Sequence, residues 1–148
     1  MILINKKWSL TQKMYTFKEY CDMYDQYFNQ AVIWLLKRRR YRMIKLTSVI
    51  MIDRQENYAC FKAIRDISYI TLYKKQMIEY YMKNPIANSK SFKAFFVSTI
   101  AHELTHRKQW LYDYNKSYTK YLKAYKENSE FFEKEAMYVE LRLWKNLK

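Results

Sequence analysis

The residues of this chain best suited to chemistry lie between positions 102 and 106, which read His-Glu-Leu-Thr-His and contain both histidines of the protein. Four residues apart on a helix, His102 and His106 share one face, so that their imidazoles can reach one Zn²⁺ at roughly 2.0–2.1 Å. Glu103 then projects toward the open side of the metal, where it can take a proton from water. The spacing predicts a zinc site with two histidine ligands and Glu103 as general base. The alternative is a pair of incidental histidines satisfied by their neighbours.

The helix that must carry these residues begins near Ser89 or Ser91, either of which is a suitable N-cap, and runs to about Tyr112. An apolar stripe accompanies the histidines along this helix, formed by Val97, Ile100, Ala101, Leu104 and Leu111. Such a stripe is typical of an amphipathic helix that packs against a core. A last helix is predicted from about Ser129 to Asn146, with Glu130 in its first turn favouring the helix dipole.

The HELTH segment is followed 25–30 residues later by the glutamate-containing segment FFEKEAMYVE. This arrangement resembles the gluzincin type of zinc peptidase, and in particular the short versions found in phage and bacterial proteins. The resemblance covers about residues 90–148 and the strand pattern ahead of them. It implies a zincin-like α+β fold, a peptide or protein substrate, and a third zinc ligand from a glutamate on the following helix, often within an ExxA pattern. Glu133-Lys134-Glu135-Ala136 matches that pattern with Glu133 as the ligand.

Helix geometry bears on the choice between the two glutamates of this pattern. Glu133 and Glu135 lie about 200° apart around a helix axis, so that only one of them can face the zinc. Small Ala136, in the turn after Glu133, would let the two helices approach closely. We therefore favour Glu133, with Glu135 as the alternative ligand. A site in which no protein glutamate binds also remains open.

Two roles implied by the resemblance have no clear occupant. The acidic residue that often supports a ligating histidine has no counterpart, and Glu140, two turns beyond Glu133, can serve instead. No third histidine is available to stabilise an oxyanion. The candidates for that role are Tyr138 and Arg142, with Tyr112, Tyr114 and Tyr118 as further choices. The implied reaction is hydrolysis of a peptide bond by zinc-activated water, with Glu103 passing the proton of the water to the leaving amine.

The remainder of the chain predicts one α+β domain over residues 1–148, with an N-terminal helical basic region at 1–40 and the sheet and metal-site helices at 41–148. Periodicity predicts an N-terminal helix over about 16–37 and a further helix over about 75–83, and residues 86–89 are expected to form a loop. Strands are predicted at 41–53, 57–64 and 67–73, the last two joined by a tight Arg65-Asp66 turn. We expect a small, mainly antiparallel sheet. By the resemblance, Ile67–Tyr73 is its edge strand beside the metal, where a substrate would add as an extended strand.

The formal net charge is +14, which favours polyanionic partners such as nucleic acid, acidic protein segments or anionic membrane. The densest positive segment, here called the basic cluster, is Lys37-Arg38-Arg39-Arg40-Tyr41-Arg42. One interpretation is a polyanion-binding surface. The other is the C-terminal end of a helix, where cations complement the dipole.

The amino-acid composition indicates which broad class of protein this chain belongs to. Half of the residues are hydrophobic and 19% are aromatic, which is typical of a folded chain. No apolar run approaches the roughly 20 residues that span a bilayer, and the order of charges near Met1 is wrong for a secretory signal, so a cytoplasmic protein is expected. Cys21 and Cys60 are expected to be reduced thiols. The absence of glycine and the abundance of lysine, tyrosine, isoleucine and asparagine suggest an AT-rich genome, such as that of a phage or large virus, which would place the protein in the host cytoplasm or virion.

Two functions from different classes follow, and a zinc amidase or a hydrolase of another bond also stays open, because the ligands alone do not decide the substrate. The first is a zinc peptidase that uses Glu103. The second is a non-enzymatic viral or nucleic-acid-associated protein that keeps a structural or vestigial zinc site, which the net charge and the basic cluster favour. Because a catalytic zinc keeps an open position and a binding protein needs no glutamate there, the intact Glu103 favours the enzyme.

Overall fold

The computed structural model describes the backbone of residues 14–50 and 57–146, and side chains as far as residue 138. These residues form an α+β structure of six α-helices and a three-stranded sheet. The helices are α1 (Phe17–Leu36), α2 (Lys74–Lys83), α3 (Pro85–Asn88), α4 (Phe92–Lys108), α5 (Tyr118–Glu127) and α6 (Ser129–Asn146). The strands are β1 (Ile44–Val49), β2 (Ala59–Ile64) and β3 (Ile67–Tyr73).

The strand order is β1-β3-β2, with β3 parallel to β1 and antiparallel to β2. The expectation of a mainly antiparallel sheet was therefore wrong, because the sheet is mixed. The expectation that Ile67–Tyr73 forms an edge strand was wrong as well, since β3 lies at the centre. The physical reason is visible in its sequence: Ile70 and Leu72 are fully buried, and the opposite face is also apolar, as is typical of a strand covered on both sides.

The boundaries of the strands also differ from those predicted. The first strand begins at Ile44 and not at Tyr41, because Tyr41 lies in a 3₁₀ turn, Arg39–Tyr41. It is described as far as Val49, and residues 51–53 of the predicted strand lie outside the described ranges. The β2–β3 hairpin is confirmed, with its tight turn at Arg65 and Asp66. Arg65 has a φ of 55°, so that a residue with a side chain takes the left-handed conformation that glycine would normally supply.

Side-chain caps explain where several helices begin. At α1, Thr16 accepts a hydrogen bond from the Glu19 amide at 3.2 Å, and the Glu19 carboxylate accepts one from the Thr16 amide at 2.9 Å, which is a capping box. Residues 86–89, expected to form a loop, belong largely to the short helix α3. There the Asn84 side chain accepts hydrogen bonds from the first free amides, and Pro85 occupies the first turn, where its missing N–H costs nothing.

Helix α4 begins after Ser91, whose hydroxyl accepts a hydrogen bond from the Ala94 amide at 3.1 Å. It ends in a π-helical turn, Gln109–Asp113, which was not foreseen. A π-turn inserts an extra residue into the helical repeat and is often found at functional sites. Here it brings Gln109 and Trp110 into buried positions in succession.

The core consists of two clusters. The larger one joins the sheet to α1, α2, α3 and the first half of α4, and it is rich in edge-to-face aromatic pairs such as Tyr24 with Phe96. The smaller one joins β2 to the π-turn, α5 and α6, through Ala63, Trp110, Tyr121 and Phe132. Among the described helices, none combines the length and the hydrophobicity that crossing a membrane requires.

Candidate metal centre

Helix α4 places the side chains of His102, Glu103 and His106 close together on one side. The rings of His102 and His106 have centroids 5.0 Å apart, and the donor atoms of His102, Glu103 and His106 all lie within 4.8 Å of one another. Glu103 is only 5% exposed and His106 only 6%. The four-residue spacing thus places two imidazoles and a buried carboxylate around a single point.

Helix α6 brings a fourth group to this point. The Oε1 atom of Glu133 lies 3.0 Å from Nε2 of His102 and 2.7 Å from Nε2 of His106. The close approach of the two helices rests on Ala136, which is fully buried, as the ExxA pattern suggests. The other oxygen of Glu133, Oε2, accepts a hydrogen bond from the Tyr125 hydroxyl at 2.8 Å, which holds the carboxylate in place.

Glu135, the alternative ligand, has a different partner. Its Oε1 accepts a hydrogen bond at 2.8 Å from the side-chain amide of Gln109, and the same amide nitrogen donates to the carbonyl oxygen of Phe132 at 3.0 Å. The structure therefore brings Glu133, and not Glu135, to the two imidazoles.

Gln109 determines which nitrogen of His106 carries the proton. Because its amide nitrogen faces two groups that can only accept, its Oε1 must be the atom that faces His106 Nδ1, at 3.0 Å. A carbonyl oxygen cannot donate, so Nδ1 carries the hydrogen. The Tyr121 hydroxyl donates to the same Oε1 at 2.9 Å and can accept from Nδ1 at 3.1 Å. In the neutral ring, the lone pair of Nε2 then points at Glu133.

This arrangement gathers electron-rich atoms and requires a cation. A neutral Nε2 and a carboxylate oxygen 2.7 Å apart repel each other unless a proton or a metal ion lies between them. In the absence of a metal, burial lowers the pKa of His106, but the hydrogen bond to Glu133 and the charge of Glu103 outweigh burial, and the pKa lies above its ordinary value. Burial raises the pKa of Glu133, but hydrogen bonds from His102 and His106 bring it far below the usual range.

The donor set fits zinc. Two histidine nitrogens and one carboxylate oxygen form the His₂Glu set of catalytic zinc sites, which leaves a fourth position open. Ligands of a tetrahedral zinc at roughly 2.1 Å lie about 3.4 Å from one another, so the present contacts need to open by only about half an ångström. The hydrogen bond from Nδ1 of His106 to Gln109 is the kind of support that ligating histidines have.

A cavity of about 280 Å³ opens beside this point. Its walls include the side of α4 that carries His102, Glu103 and His106, the aromatic face of α5, and residues 57–61 at the start of β2. β2 pairs with β3 on one side and is an edge strand of the described sheet. The edge beside the centre is therefore β2, at Ala59, Cys60 and Phe61, in place of the segment Ile67–Tyr73 that the sequence suggested.

The residues considered for the oxyanion role are dispersed. Tyr118 lines the cavity, whereas Tyr114 packs against Tyr121 and Phe132 in the smaller core cluster. Tyr112 and Tyr138 are 72% and 66% exposed, and neither lines the cavity. Glu140 and Arg142 lie on α6 beyond the residues whose side chains are described.

The basic cluster has a structural part and an exposed part. The Arg38 guanidinium donates to the Trp34 carbonyl at the end of α1, at 3.0 Å, and stacks over the Trp34 ring at 3.7 Å. Arg38 thus supports the helix end, as one of the two interpretations held. The exposed members of the cluster are Lys37, Arg39, Arg40 and Arg42.

Three residues that contact His106 or Glu133 were missed in the sequence: Gln109, Tyr121 and Tyr125. Tyrosine is so frequent here, with 16 residues, that its type alone carries no signal. Gln109 lies three residues after His106, on the same helical face, and this spacing is the one local signal that could have identified it.

Comparisons with family models, with curated proteins and with solved structures returned no match.

Proposed function

We propose that this protein is a zinc-dependent peptide-bond hydrolase in which His102, His106 and Glu133 hold the metal and Glu103 is the general base. The observation that carries the proposal is the convergence of Glu133 Oε1 on the Nε2 atoms of both histidines, with the buried Glu103 in the same cluster. When bound, zinc lowers the pKa of a coordinated water and polarises a carbonyl group.

The protein groups have distinct tasks in this reaction. Glu103 accepts a proton from the attacking water and delivers it to the leaving amine, because it lies one residue from His102 and lines the same cavity. Tyr125 holds Glu133 through Oε2, which leaves Oε1 for the metal. Tyr118, at the cavity wall, is the candidate donor to the oxyanion among the described tyrosines that the sequence suggested.

The form of the site supports a peptide as substrate. The cavity is bordered by β2, which has no further strand on its outer side among the described residues, so that its backbone donors and acceptors there can pair with an extended chain. A peptide that adds along Ala59–Phe61 would run past the metal centre. The cavity itself, at about 280 Å³, has room for a few side-chain atoms on either side of a scissile bond.

The competing proposal is a structural or vestigial zinc site in a polyanion-binding protein. A structural site is usually closed by four protein ligands. The described residues here would supply three ligands, His102, His106 and Glu133, and a second carboxylate, Glu103, borders a cavity. This composition favours the hydrolase.

The decisive experiment combines metal analysis with one substitution. We expect one zinc per chain, and we expect Glu103→Gln to keep zinc and fold while hydrolysis of casein falls by at least about a hundredfold, because glutamine cannot accept the proton. Glu130→Gln, an exposed position on α6, is the matched control and should retain full activity. A Glu103→Gln protein as active as the parent would refute the catalytic role, and a protein without zinc would refute the proposal as a whole.

A further inference from the structure

A second depression, here called the α1–α4 groove, lies between α1 and α4 and encloses about 820 Å³. Its walls are apolar and aromatic, with Trp34 and Ala31 on α1 and Phe96, Ile100 and Leu104 on α4. Between Lys93 at one end and Lys108 at the other, the groove follows α4 for about 22 Å. Its volume and lining are typical of a site for a small, largely apolar ligand.

The groove is separate from the metal centre. α4 turns Thr99, His102, Glu103 and His106 toward the cavity of the centre, and no described residue lines both depressions. What the groove binds is therefore independent of whether the centre hydrolyses peptides.

A buried cation lies at one end of the groove. Arg107 is only 9% exposed, and its guanidinium donates from Nε to the Ser68 hydroxyl at 3.1 Å and from Nη2 to the backbone carbonyl of Arg40 at 3.2 Å. Both partners are neutral, and the described residues place no carboxylate within ion-pair distance of Arg107. A buried charge is costly unless it is paired, and a guanidinium has five N–H donors, so Arg107 can accommodate an anion.

The charges around the groove favour the same sign of ligand. Arg40, Lys93, Arg107 and Lys108 line it, against one carboxylate, Glu135, which is already bonded to the Gln109 amide. A second copy of a chain with a net charge of +14 would be repelled from this surface. A nucleic acid would leave the apolar walls without a partner.

We propose that the α1–α4 groove binds a single-chain anionic lipid, a long-chain carboxylate, with its head group on Arg107 and its alkyl chain along Phe96, Ile100 and Leu104. The carboxylate supplies an anion to the buried guanidinium, which no described carboxylate approaches within ion-pair distance. The chain covers the apolar wall between α1 and α4, which contributes about 25 cal/mol for each Å² removed from water.

The test is calorimetric titration of the full chain with dodecanoate below its micellar concentration, compared with dodecanol. We expect dodecanoate to bind in a one-to-one complex and at least about tenfold more tightly than the alcohol, because a hydrogen bond to a charged group is worth about 1.5–3 kcal/mol. Arg107→Gln should remove this preference. Arg39→Gln, which neutralises an exposed arginine outside the groove, should leave it unchanged.

A second variant covers the case in which Arg107→Gln does not fold. Ala31→Trp fills the groove from α1 and keeps every cation, so it should abolish binding of dodecanoate while zinc content stays at the parental level. Three results would overturn the proposal: equal affinities for dodecanoate and dodecanol, dodecanoate binding that survives Ala31→Trp, or an acidic amphipathic peptide that binds where dodecanoate does not.

Discussion

Gln109→Met tests whether the orientation of His106, and not only its presence, sets the zinc affinity. Methionine has nearly the volume of glutamine, so that the buried space around this 1% exposed side chain stays filled. The substitution removes the acceptor that holds the Nδ1 hydrogen of His106 and the donor that bridges to Phe132 and Glu135. Tyr121 remains within reach of Nδ1, at 3.1 Å, as a single weaker support.

The expected magnitude follows from these contacts. Loss of a group that orients a ligating histidine typically costs 10–100-fold in metal affinity, or about 1.4–2.7 kcal/mol. Because Tyr121 keeps part of the support, we expect the lower half of that range. The metal-free protein should lose about 1–3 kcal/mol of unfolding free energy, since buried hydrogen bonds disappear without a change in volume.

The two effects are measured separately. Competition with a chromophoric chelator gives the zinc dissociation constant, and denaturation of the EDTA-treated protein gives the unfolding free energy. Glu135→Gln is the control, because it changes the far side of the same amide and leaves the contact with His106 in place; its zinc affinity should stay within about threefold of the parent. Parental zinc affinity in a destabilised Gln109→Met protein would refute the orientation argument and leave Gln109 with a packing role.

Three further predictions concern the ligands, the protons and the charges. Glu133→Ala should weaken zinc binding at least about a hundredfold and Glu135→Ala should not, and the reverse result in chelator competition would exchange the two assignments. The metal-free fold holds the pKa of His106 above its ordinary value, so protonated His106 stabilises the fold. This stabilisation is complete below about pH 6.5 and is lost as the pH rises through the raised pKa. Thermal melts in EDTA should therefore show a Tm that falls over this range, while the affinity for zinc rises as the histidine loses its proton. Binding to a DNA duplex should weaken as the salt concentration rises. Replacing Arg39 and Arg42 by glutamine should reduce the slope of log K against log salt concentration by up to about two. A slope that neither substitution changes would leave the basic cluster only its role at the end of α1.

The parts of the site that could be predicted are those encoded within one helical repeat. Histidines four residues apart must share a helix face whatever surrounds them. The angle between Glu133 and Glu135 allowed only one of them to face the histidines, and the ExxA pattern with small Ala136 favoured Glu133. The predicted helices over 16–37, 75–83 and 129–146 correspond closely to α1, α2 and α6, because their apolar periodicity and caps are local properties.

The features that could not be predicted depend on distant parts of the chain. Ile67–Tyr73 is the central strand because β1 pairs with it, although β2 lies between β1 and β3 in sequence. This pairing depends on parts of the chain that are distant in sequence. The spacing of Gln109 from His106 is local, but its contacts with Phe132 and Glu135 depend on the π-turn and on the packing of α6, which the neighbouring residues do not indicate. The burial of Arg107 under the carbonyl of Arg40 is likewise a product of tertiary packing.

The division of the core into two clusters has a consequence for local opening. Among the side chains that the structure describes, the smaller cluster, Ala63, Trp110, Tyr121 and Phe132, which packs α5 and α6 against β2 and the π-turn, has fewer buried members than the larger cluster. A sub-global unfolding of α5 and α6 would therefore withdraw Tyr121, Tyr125 and Glu133 together and leave both histidines on an intact α4. In the proposed site, zinc would close this opening, because His102 and His106 on α4 and Glu133 on α6 would bind it together. At a free zinc concentration of about 100 Kd, it would add about 2.7 kcal/mol to the free energy of opening. A bound metal would then hold the C-terminal helices against α4, and the rate at which their amides exchange with solvent would report its occupancy.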